Sequence, residues 1–453
     1  DMDLFGGLYS LFGLGHLTRR WLETFVSKDL QKKFIAATSL TKDLEAYAAA
    51  DAWSTVRIAR KQLDYIEDEL DSDFRWYTEI DQPCIWAVLD MAPIRIDGNG
   101  WGTHADEMEA EGARLQEALG FNVKSPKQVI AALGMPDGTS TKADNLDTWL
   151  EEAEAAGSKK RAALLRDIIE VRNLRDAASK YGRNWLEFVE DGYIHPSWKV
   201  VGAPPGRMAC SEPPMQQVPI REHPEYREYI IASPGGRLLV SDVQQQEPRA
   251  LAQLTKDEVL MKELKAGIDL HAVTAKQFSL SNRAMGKTIN LALNYGMSHV
   301  GLAKRIGITE RQAEDGLRAR RLHYRGVTAW QERMRRTAER LGYITTSMGR
   351  PMWVNPYDYQ HERHAINAPV QGTAADQTKM ALRFIREGCR VKDVPFNVNL
   401  VVHDEIVVDV PKGAMPIYRK IVEDAWKEAG RFTMPNVDTV VEIASGPNWR
   451  VKE

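Results

Sequence analysis

The chain has 453 residues and a formal net charge of −3, because 60 basic side chains nearly balance 63 acidic ones. Its 43% hydrophobic and 27% charged residues are ordinary for a globular protein, and they exclude a fibrous repeat, a disordered tail and a disulfide mini-protein. A chain so close to neutrality has no overall attraction for DNA or anionic membranes, so a polyanionic partner must be bound by local basic clusters. The length predicts about three domains or subdomains.

Cysteine usage and hydropathy indicate the cellular compartment. Cys84, Cys210 and Cys389 are odd in number and far apart, which predicts reduced thiols rather than a disulfide framework or a zinc site. No stretch approaches the roughly 18 apolar residues that a membrane span needs, and the start of the chain lacks the pattern of a secretory signal. We expect a cytoplasmic location, no membrane partner and, since the chain begins with Asp1-Met2 inside structured sequence, a fragment of a longer product.

The first half of the chain is predicted to be mainly helical. Residues 1–70 have helical spacing and an alanine-rich stretch, and residues 93–96 predict a short strand after a helical segment. Residues 103–190 predict four further helices, of which the last covers 158–190. One side of that helix is basic, which is the ordinary pattern of a solvated helix surface: Lys159, Lys160, Arg161 and Arg166.

The second half predicts a mixed structure. Residues 202–219 are rich in Pro and Gly and predict a loop, and the apolar GRLLVSDVQQ predicts a strand that ends in an acid. Residues 247–345 predict helices. The remaining elements are a helix at 371–388, a strand pair at 396–410, a helix at 415–429 and a strand at 439–445.

Two aspartates occupy positions at which a carboxylate is held rigidly. Asp242 ends the apolar strand at Leu238–Val240, and Asp404 lies between two runs of alternating residues, which predict a hairpin with His403-Asp404 at its tip. His-Asp is a poor pair for a tight turn, which suggests that it serves another purpose. Two acids at neighbouring strand ends would suit paired Mg²⁺ ions. Taken singly, each is also explained as an ordinary loop residue.

A third element is the helical segment 281–298. Arg283, Lys287 and Leu291 follow one another at i, i+4 and i+8, so they share one helix face, and Tyr295-Gly296 predicts the end of the helix. Two like charges at this spacing repel weakly, unless an anion binds between them. A triphosphate fits such a stripe, and a basic solvent-facing surface is the alternative.

Three segments resemble, in order and spacing, motifs A, B and C of family A DNA polymerases. They are DVQQQEPRALAQL (242–254), RAMGKTINLALNYG (283–296) and VVHDEIVVDVP (401–411). Further matches extend the resemblance from near residue 30 to the C-terminus: GRMACSEPPMQQVP (206–219), GIDLHAVTA (267–275), TTSMGRP (345–351), ERHAINAPVQGTAAD (362–376) and GPNW (446–449).

The resemblance implies an α+β right-hand fold with an antiparallel-sheet palm, helical fingers and a helical thumb. It also implies a truncated remnant of a 3′–5′ exonuclease domain at the N-terminus. The expected divisions are the remnant at 1–75, the start of the palm at 76–97, the thumb at 98–185, palm at 186–260, fingers at 261–365 and palm at 366–453. In a thumb, the basic side of 158–190 would gain a second explanation as a surface for duplex phosphates.

The resemblance also implies a reaction and its catalytic residues. Asp242 and Asp404 match the aspartates that bind two Mg²⁺ ions, with Mn²⁺ as a substitute, and the Val243 carbonyl matches a further ligand. Arg283 and Lys287 match the residues that hold the β- and γ-phosphates, and Lys287 is the expected proton donor to pyrophosphate. The implied activity is DNA-templated addition of deoxynucleotides to a primer 3′-OH.

Other positions match the nucleotide and DNA contacts of the family. Glu247 matches the steric gate against a ribose 2′-OH, His271 a fingers residue near the triphosphate, and Tyr295 the residue that stacks near the templating position. Arg249 matches a structural arginine behind the gate, and Glu405 a residue beside the metals. Six positions match contacts to the primer–template: Arg207, Gln216, Arg363, Asn367, Gln371 and His403.

The sequence departs from the bacterial motifs at two places, and each departure predicts a property of the protein. Motif A reads Gln-Glu-Pro-Arg at 246–249, which looks like phage and viral members and implies viral DNA replication in the host cytoplasm. Pro248 is tolerated there because the first helical turn does not need its N–H. Leu291 replaces the usual Phe or Tyr, which predicts strong discrimination against dideoxynucleotides and their better incorporation by a Leu291→Tyr variant.

The N-terminal segment resembles part of a proofreading site. Tyr47 and Asp51 have the Y-x3-D spacing of the third exonuclease motif, but the upstream Asp-x-Glu and Asn-x3-Asp acids are not found. Too few carboxylates then exist for two metals, so we expect no proofreading by this chain.

Several alternative functions are compared with a DNA polymerase on the same residues. A single-subunit RNA polymerase has a related palm, and Glu247 as a gate argues against it; copying of RNA templates is left open. A catalytically dead DNA-binding scaffold would have lost one of four residues that are all present: Asp242, Asp404, Arg283 and Lys287. A two-metal nuclease would have no use for the Arg283 and Lys287 stripe. The expected partners are primer–template DNA and deoxynucleoside triphosphates bound by a monomer, with a helicase or processivity factor undecided.

Overall fold

The computed structural model describes residues 14–24, 30–69, 74–220, 222–294 and 297–451. The chain divides into two compact units, which comprise residues 1–78 with 349–351, and residues 79–348 with 352–453.

The described part of the first unit is helical, as the sequence predicts. Its helices are α1 (Leu14–Leu22), α2 (Gln31–Ile35) and α3 (Lys42–Glu69). Trp21 meets Tyr65 edge to face with ring centroids 5.7 Å apart, which packs α1 against α3.

A four-stranded antiparallel sheet forms the centre of the second unit. Its strands are β6 (Arg237–Val243), β9 (Val398–Val402), β10 (Glu405–Val410) and β11 (Val441–Gly446), in the order β11-β6-β10-β9. Every residue of β9 and β10 is buried, so the sheet is covered on both faces. The strands predicted within GRLLVSDVQQ (236–245), at 396–410 and at 439–445 are therefore confirmed.

Different layers cover the two faces of this sheet. Leu238 and Val240 face an apolar cluster that contains buried Trp101, Trp185, Tyr226 and Trp449. Ser241 points to the opposite face, where its hydroxyl accepts a hydrogen bond of 3.0 Å from the Trp426 indole. Trp426 belongs to α17 (Met415–Thr433), which packs on the long helix α16 (His361–Val391).

A helical region precedes the sheet in the chain. After α4 (Gln82–Leu89) and β1 (Ile94–Arg95) it contains α5 (Gly98–Leu119), α6 (Pro126–Leu133), α7 (Ala143–Ala155) and α8 (Lys159–Tyr181). The α8 helix buries Leu165, Ile168, Val171 and Leu174, whereas Lys159 and Lys160 are exposed.

The predicted helix at 158–190 is too long. It ends at Tyr181, because Gly182 is extended and a Cβ there would overlap the Ala178 carbonyl oxygen. Two indoles take the last carbonyls of α8: Trp185 Nε1 donates to Lys180, and Trp101 Nε1 donates to Tyr181. A 3₁₀ turn and β2 (Val189–Glu190) follow, and β2 pairs with β3 (Tyr193–Ile194), which also pairs with β1.

The predicted loop at 202–219 is partly regular. It contains β5 (Ala209–Ser211), which pairs with β4 (Ser197–Lys199), and a 3₁₀ turn at Met215–Gln217. Its Pro and Gly content therefore does not prevent a short strand at the edge of a two-stranded ribbon.

Helices dominate the chain between β6 and α16, as predicted for 247–345. They are α9 (Gln246–Thr255), α10 (Glu258–Lys265), α11 (Leu270–Gln277), α12 (Arg283–Asn294), α13 (His299–Ile306), α14 (Glu310–His323) and α15 (Arg325–Leu341). A ribbon of β7 (Tyr343–Thr345) and β8 (Pro351–Trp353) comes next. The α16 helix begins ten residues before its predicted start at 371, because it continues through Pro369.

Candidate active site

The sheet brings Asp242 and Asp404 to the same edge. The β9–β10 register pairs Val402 with Glu405, so His403 and Asp404 form a two-residue turn, as predicted. His403 has φ of 55°, an uncommon backbone for a residue other than Gly, Asn or Asp. Glu405, the first residue of β10, lies directly opposite Asp242 on the neighbouring strand β6. Asp242 and Asp404 therefore lie at adjacent strand ends. Sequence alone could not establish this neighbourhood.

Glu405 is anchored beneath the turn. Its side chain is 10% exposed and accepts a hydrogen bond of 2.6 Å from Trp449 Nε1. Arg227 lies 3.9 Å from the same carboxylate and 3.8 Å from the centre of the Trp449 ring. These contacts compensate the buried charge and fix the strand that follows Asp404. The expected role of Glu405 beside metal ions stays a prediction.

A cavity of about 690 Å³ lies next to Asp404. Every helix from α9 to α16 supplies residues to its walls. Six of the residues predicted from the sequence line it: Glu247, His271, Lys287, Asn367, Gln371 and Asp404. The cavity therefore joins the acidic sheet edge to the basic face of α12.

Close approach of α11 and α12 sets the far wall of this cavity. Gly286 makes that approach feasible, because a Cβ there would overlap the carbonyl oxygen of His271. Asp269 caps α11 by accepting from the backbone N–H groups of His271 and Ala272. The other carboxylate oxygen of Asp269 forms an ion pair with Arg283. Of the predicted stripe, Lys287 lines the cavity, whereas Arg283 is 63% exposed and paired.

The surroundings of His271 favour the uncharged form of its imidazole. Burial lowers the pKa of its imidazole from 6.5, the Asp269 carboxylate opposes that shift, and Arg283 and Lys287 reinforce it. Asn290 lies 3.0 Å from His271 Nδ1. The sequence indicated His271 by resemblance and missed Asn290, although Asn290 lies on α12 together with Arg283 and Lys287.

Glu247 is held by a partner from another part of the chain. Arg207 Nη2 donates a hydrogen bond of 2.7 Å to its carboxylate. Arg249, two residues further on, is buried and donates to the carbonyls of Gln244 and Asp438, both at 2.7 Å. The start of α9 is therefore held by three contacts: to Arg207, to Gln244 directly after β6 and to Asp438 in the segment before β11.

Five of the six positions expected to contact DNA fall into two groups, and the sixth, Arg207, is paired with Glu247. Arg363, Asn367 and Gln371 succeed one another at intervals of four on α16, so they share one helix face. Gln216 donates to the Val401 carbonyl at 2.9 Å, and exposed His403 forms part of the turn beside Asp404. Their roles stay predictions.

Four expected residues add little to the geometry. The side chain of Leu291 on α12 and the whole of Tyr295 lie outside the described residues. Tyr47 and Asp51 are half-buried one turn apart on α3, in the first unit.

The donor atoms at the sheet edge decide whether a metal ion could bind there. Within the described ranges, no group of three or more His, Cys, Asp or Glu side chains could hold a metal ion by itself. Mg²⁺ is usually bound by one or two carboxylates, with waters and substrate phosphates as its other ligands. Asp242, Asp404 and the adjacent Val243 carbonyl fit that requirement. None of the helices that the structure describes could cross a membrane.

The sequence matches a known protein family. A family model described as DNA polymerase family A matches residues 98–451. The chain is 30% identical to DNA polymerase I of Pseudomonas aeruginosa over 99% of its own length and 51% of that protein. For DNA polymerase I of Aquifex aeolicus the identity is 26%, over 97% of the chain and 82% of that protein. The chain spans about half the length of the first of these curated relatives.

The fold matches a solved structure. The polymerase domain of Pol1 from M. smegmatis, in complex with DNA primer-template and dNTP, superposes with a TM-score of 0.83. The sequences are 24% identical, and the match covers 97% of this chain and 79% of that chain. The predicted polymerase fold is therefore confirmed.

Proposed function

The chain belongs to DNA polymerase family A, and from that premise we propose that it is a DNA-templated DNA polymerase. It would add deoxynucleotides to a primer 3′-OH and release pyrophosphate. One observation carries the proposal: Asp242 and Asp404 lie at adjacent strand ends, and the cavity beside Asp404 is also lined by Lys287, His271 and Glu247. An acidic edge opposite a basic wall is the arrangement that nucleotidyl transfer needs.

Asp242, Asp404 and the Val243 carbonyl would hold two Mg²⁺ ions, for which Mn²⁺ could substitute. Members of this family use divalent metal ions. When bound, such ions stabilise the charge of phosphoryl transfer and lower the pKa of the attacking hydroxyl.

The chain's own side chains would bind and orient the nucleotide. Lys287 would contact the triphosphate from the cavity wall and donate a proton to the leaving pyrophosphate. Arg283 would exchange its ion pair with Asp269 for a phosphate, a change of partner that its exposed position permits. Glu247 would occupy the space of a ribose 2′-OH.

Primer–template DNA would lie along the face of α16 that carries Arg363, Asn367 and Gln371, and across the turn at His403. The complex of the M. smegmatis domain with DNA primer-template and dNTP supports this choice of substrate. Because phosphate contacts release counterions, binding should weaken as salt rises. Replication of a phage or viral genome stays a prediction from the Gln-Glu-Pro-Arg variant at 246–249.

Primer extension tests the proposal directly. A recessed DNA duplex is incubated with Mg²⁺ and all four deoxynucleotides, with Asp242→Ala and Asp404→Ala alongside. We expect the parent to extend to the template end and both variants to lose activity, as should the parent in excess chelator. Asp424→Ala is the matched control, because it removes an exposed carboxylate on α17. A parent that binds the duplex without extending it would refute the activity and leave the fold unaffected.

A further inference from the structure

Three polar side chains form a directed chain of hydrogen bonds that ends at His271: Arg320 and Asn290 line the cavity, and Thr274 is fully buried. Arg320 Nη1 lies 2.9 Å from Thr274 Oγ1, and Thr274 Oγ1 lies 2.9 Å from Asn290 Oδ1. Asn290 Nδ2 lies 3.0 Å from His271 Nδ1. We call Arg320, Thr274 and Asn290 the relay. It connects α14, α11 and α12.

The direction of the relay follows from its first member. A guanidinium has donors and no acceptor, so the Thr274 hydroxyl must accept from Arg320. The single hydroxyl proton of Thr274, which is fully buried, is then directed to Asn290 Oδ1. The Asn290 amide must therefore present its NH₂ group on the opposite side.

A second contact requires the same orientation of Asn290. Its Nδ2 atom lies 3.3 Å from the Leu270 carbonyl, which can only accept. The two N–H groups of the amide are then both used, one by Leu270 and the other by His271. A ring nitrogen that accepts a hydrogen bond carries no proton, so Nδ1 of His271 is the bare nitrogen.

We infer that the relay holds His271 as the neutral tautomer that carries its proton on Nε2. The ring lines the cavity that also contains Lys287, so its N–H can donate to a phosphate oxygen there. The members of the relay are positioning residues, because they act through His271. The choice of a nucleotide phosphate as acceptor rests on the proposed function, whereas the tautomer does not.

The tautomer can be measured without any substrate. The full chain is labelled with ¹⁵N-histidine, and long-range ¹H–¹⁵N spectra distinguish protonated from bare ring nitrogens. His271→Gln assigns the signal among the ten histidines. We expect a bare Nδ1 and a protonated Nε2 at neutral pH. A proton on Nδ1 in the parent would overturn the inference.

Two variants test the relay itself. Asn290→Asp replaces the donor to Nδ1 with an acceptor, so the proton should move to Nδ1 or the ring should become charged. Thr274→Val removes one of the two contacts that orient the Asn290 amide, so it should weaken the preference for the Nε2 tautomer, and Thr274→Ser should restore the parent signal. Asn282→Asp adds the same charge to the exposed start of α12 and should change nothing. A parent-like spectrum from both Asn290→Asp and Thr274→Val would refute the relay.

A kinetic readout then tests the acceptor. Loss of one hydrogen bond to a charged phosphate should raise the KM for deoxynucleotide about tenfold in Asn290→Asp, with a smaller change in kcat. An unchanged KM together with a shifted tautomer would exclude the phosphate as its acceptor. If the parent has the inferred tautomer and extends no primer, the proposed function fails while the relay stands.

Discussion

Arg207 and Glu247, which are 40 residues apart in sequence, form an ion pair of 2.7 Å in which each side chain is 28% exposed. The pair joins the Pro- and Gly-rich segment to the start of α9 at the edge of the cavity. Both residues were predicted from the sequence, one as a DNA contact and the other as a steric gate. Their pairing was not predicted.

Removal of the Glu247 side chain should relax the selection of sugars. Glu247→Ala opens space at the cavity edge, so we expect the preference for deoxynucleotides over ribonucleotides to fall by about 10- to 200-fold. The measurement is the ratio of kcat/KM for the two nucleotide types in primer extension. Glu247→Gln keeps the bulk and loses the charge, so it should retain most of the preference. A parent-like ratio in Glu247→Ala would exclude this residue as the gate.

Gly286 should tolerate no side chain. Because a Cβ there would overlap the backbone of His271, Gly286→Ala should separate α11 from α12 and destabilise the fold by about 3 kcal/mol. Chemical denaturation measures the loss. Gly301→Ala on α13 is the control, since its Cβ would lie 3.1 Å from the flexible Met297 side chain. Equal stability of the two variants would contradict the close packing of α11 on α12.

The sequence predicted the separate parts of the site better than their assembly. An apolar run predicted the strand that ends at Asp242, and alternating residues predicted the hairpin with Asp404 at its tip, because both patterns are local information. Their neighbourhood depends on β6 pairing with β10, which joins segments more than 160 residues apart. Strand order is a long-range property that one local pattern does not specify.

The relay is a second feature that the sequence alone could not predict. Arg320 lies 46 residues from Thr274, on a helix that also carries exposed arginines such as Arg318 and Arg321. No local pattern separates this arginine from its exposed neighbours. The end of α8 is a third case, since an extended Gly182 and two indole caps stop a helix whose side-chain pattern continues.

A buried ion pair should make α16 sensitive to one substitution. Lys379 Nζ lies 2.8 Å from Asp81 Oδ1, and the two side chains are 1% and 7% exposed. Lys379→Met leaves the carboxylate without this cation, so we expect a loss of about 3–5 kcal/mol in the free energy of unfolding. Lys427→Met, which breaks an exposed pair on α17, should have little effect.

A double variant separates the charge from the packing. If the loss arises because the buried Asp81 carboxylate no longer has the Lys379 cation, Lys379→Met combined with Asp81→Leu should recover much of the stability, because apolar pairs often replace buried ion pairs without cost. Unfolding of Lys379→Met at the parent's denaturant midpoint would show that this pair contributes nothing.

The environment of His271 predicts how stability depends on pH. Burial lowers the pKa of its imidazole from 6.5, Asp269 opposes that shift, and Arg283 and Lys287 add to it. The unfolded chain therefore binds a proton at a higher pH than the folded chain does. Below pH 6.5 the unfolded state takes up more protons, so this residue lowers stability as the pH falls toward the folded pKa.

His271→Gln cannot be protonated, so it should lose less stability than the parent between about pH 7.5 and about pH 5.5. Melting temperatures at both pH values measure the difference, and exposed His16→Gln should follow the parent. An equal loss in His271→Gln and in the parent would show that the folded chain protonates this imidazole as readily as the unfolded chain does.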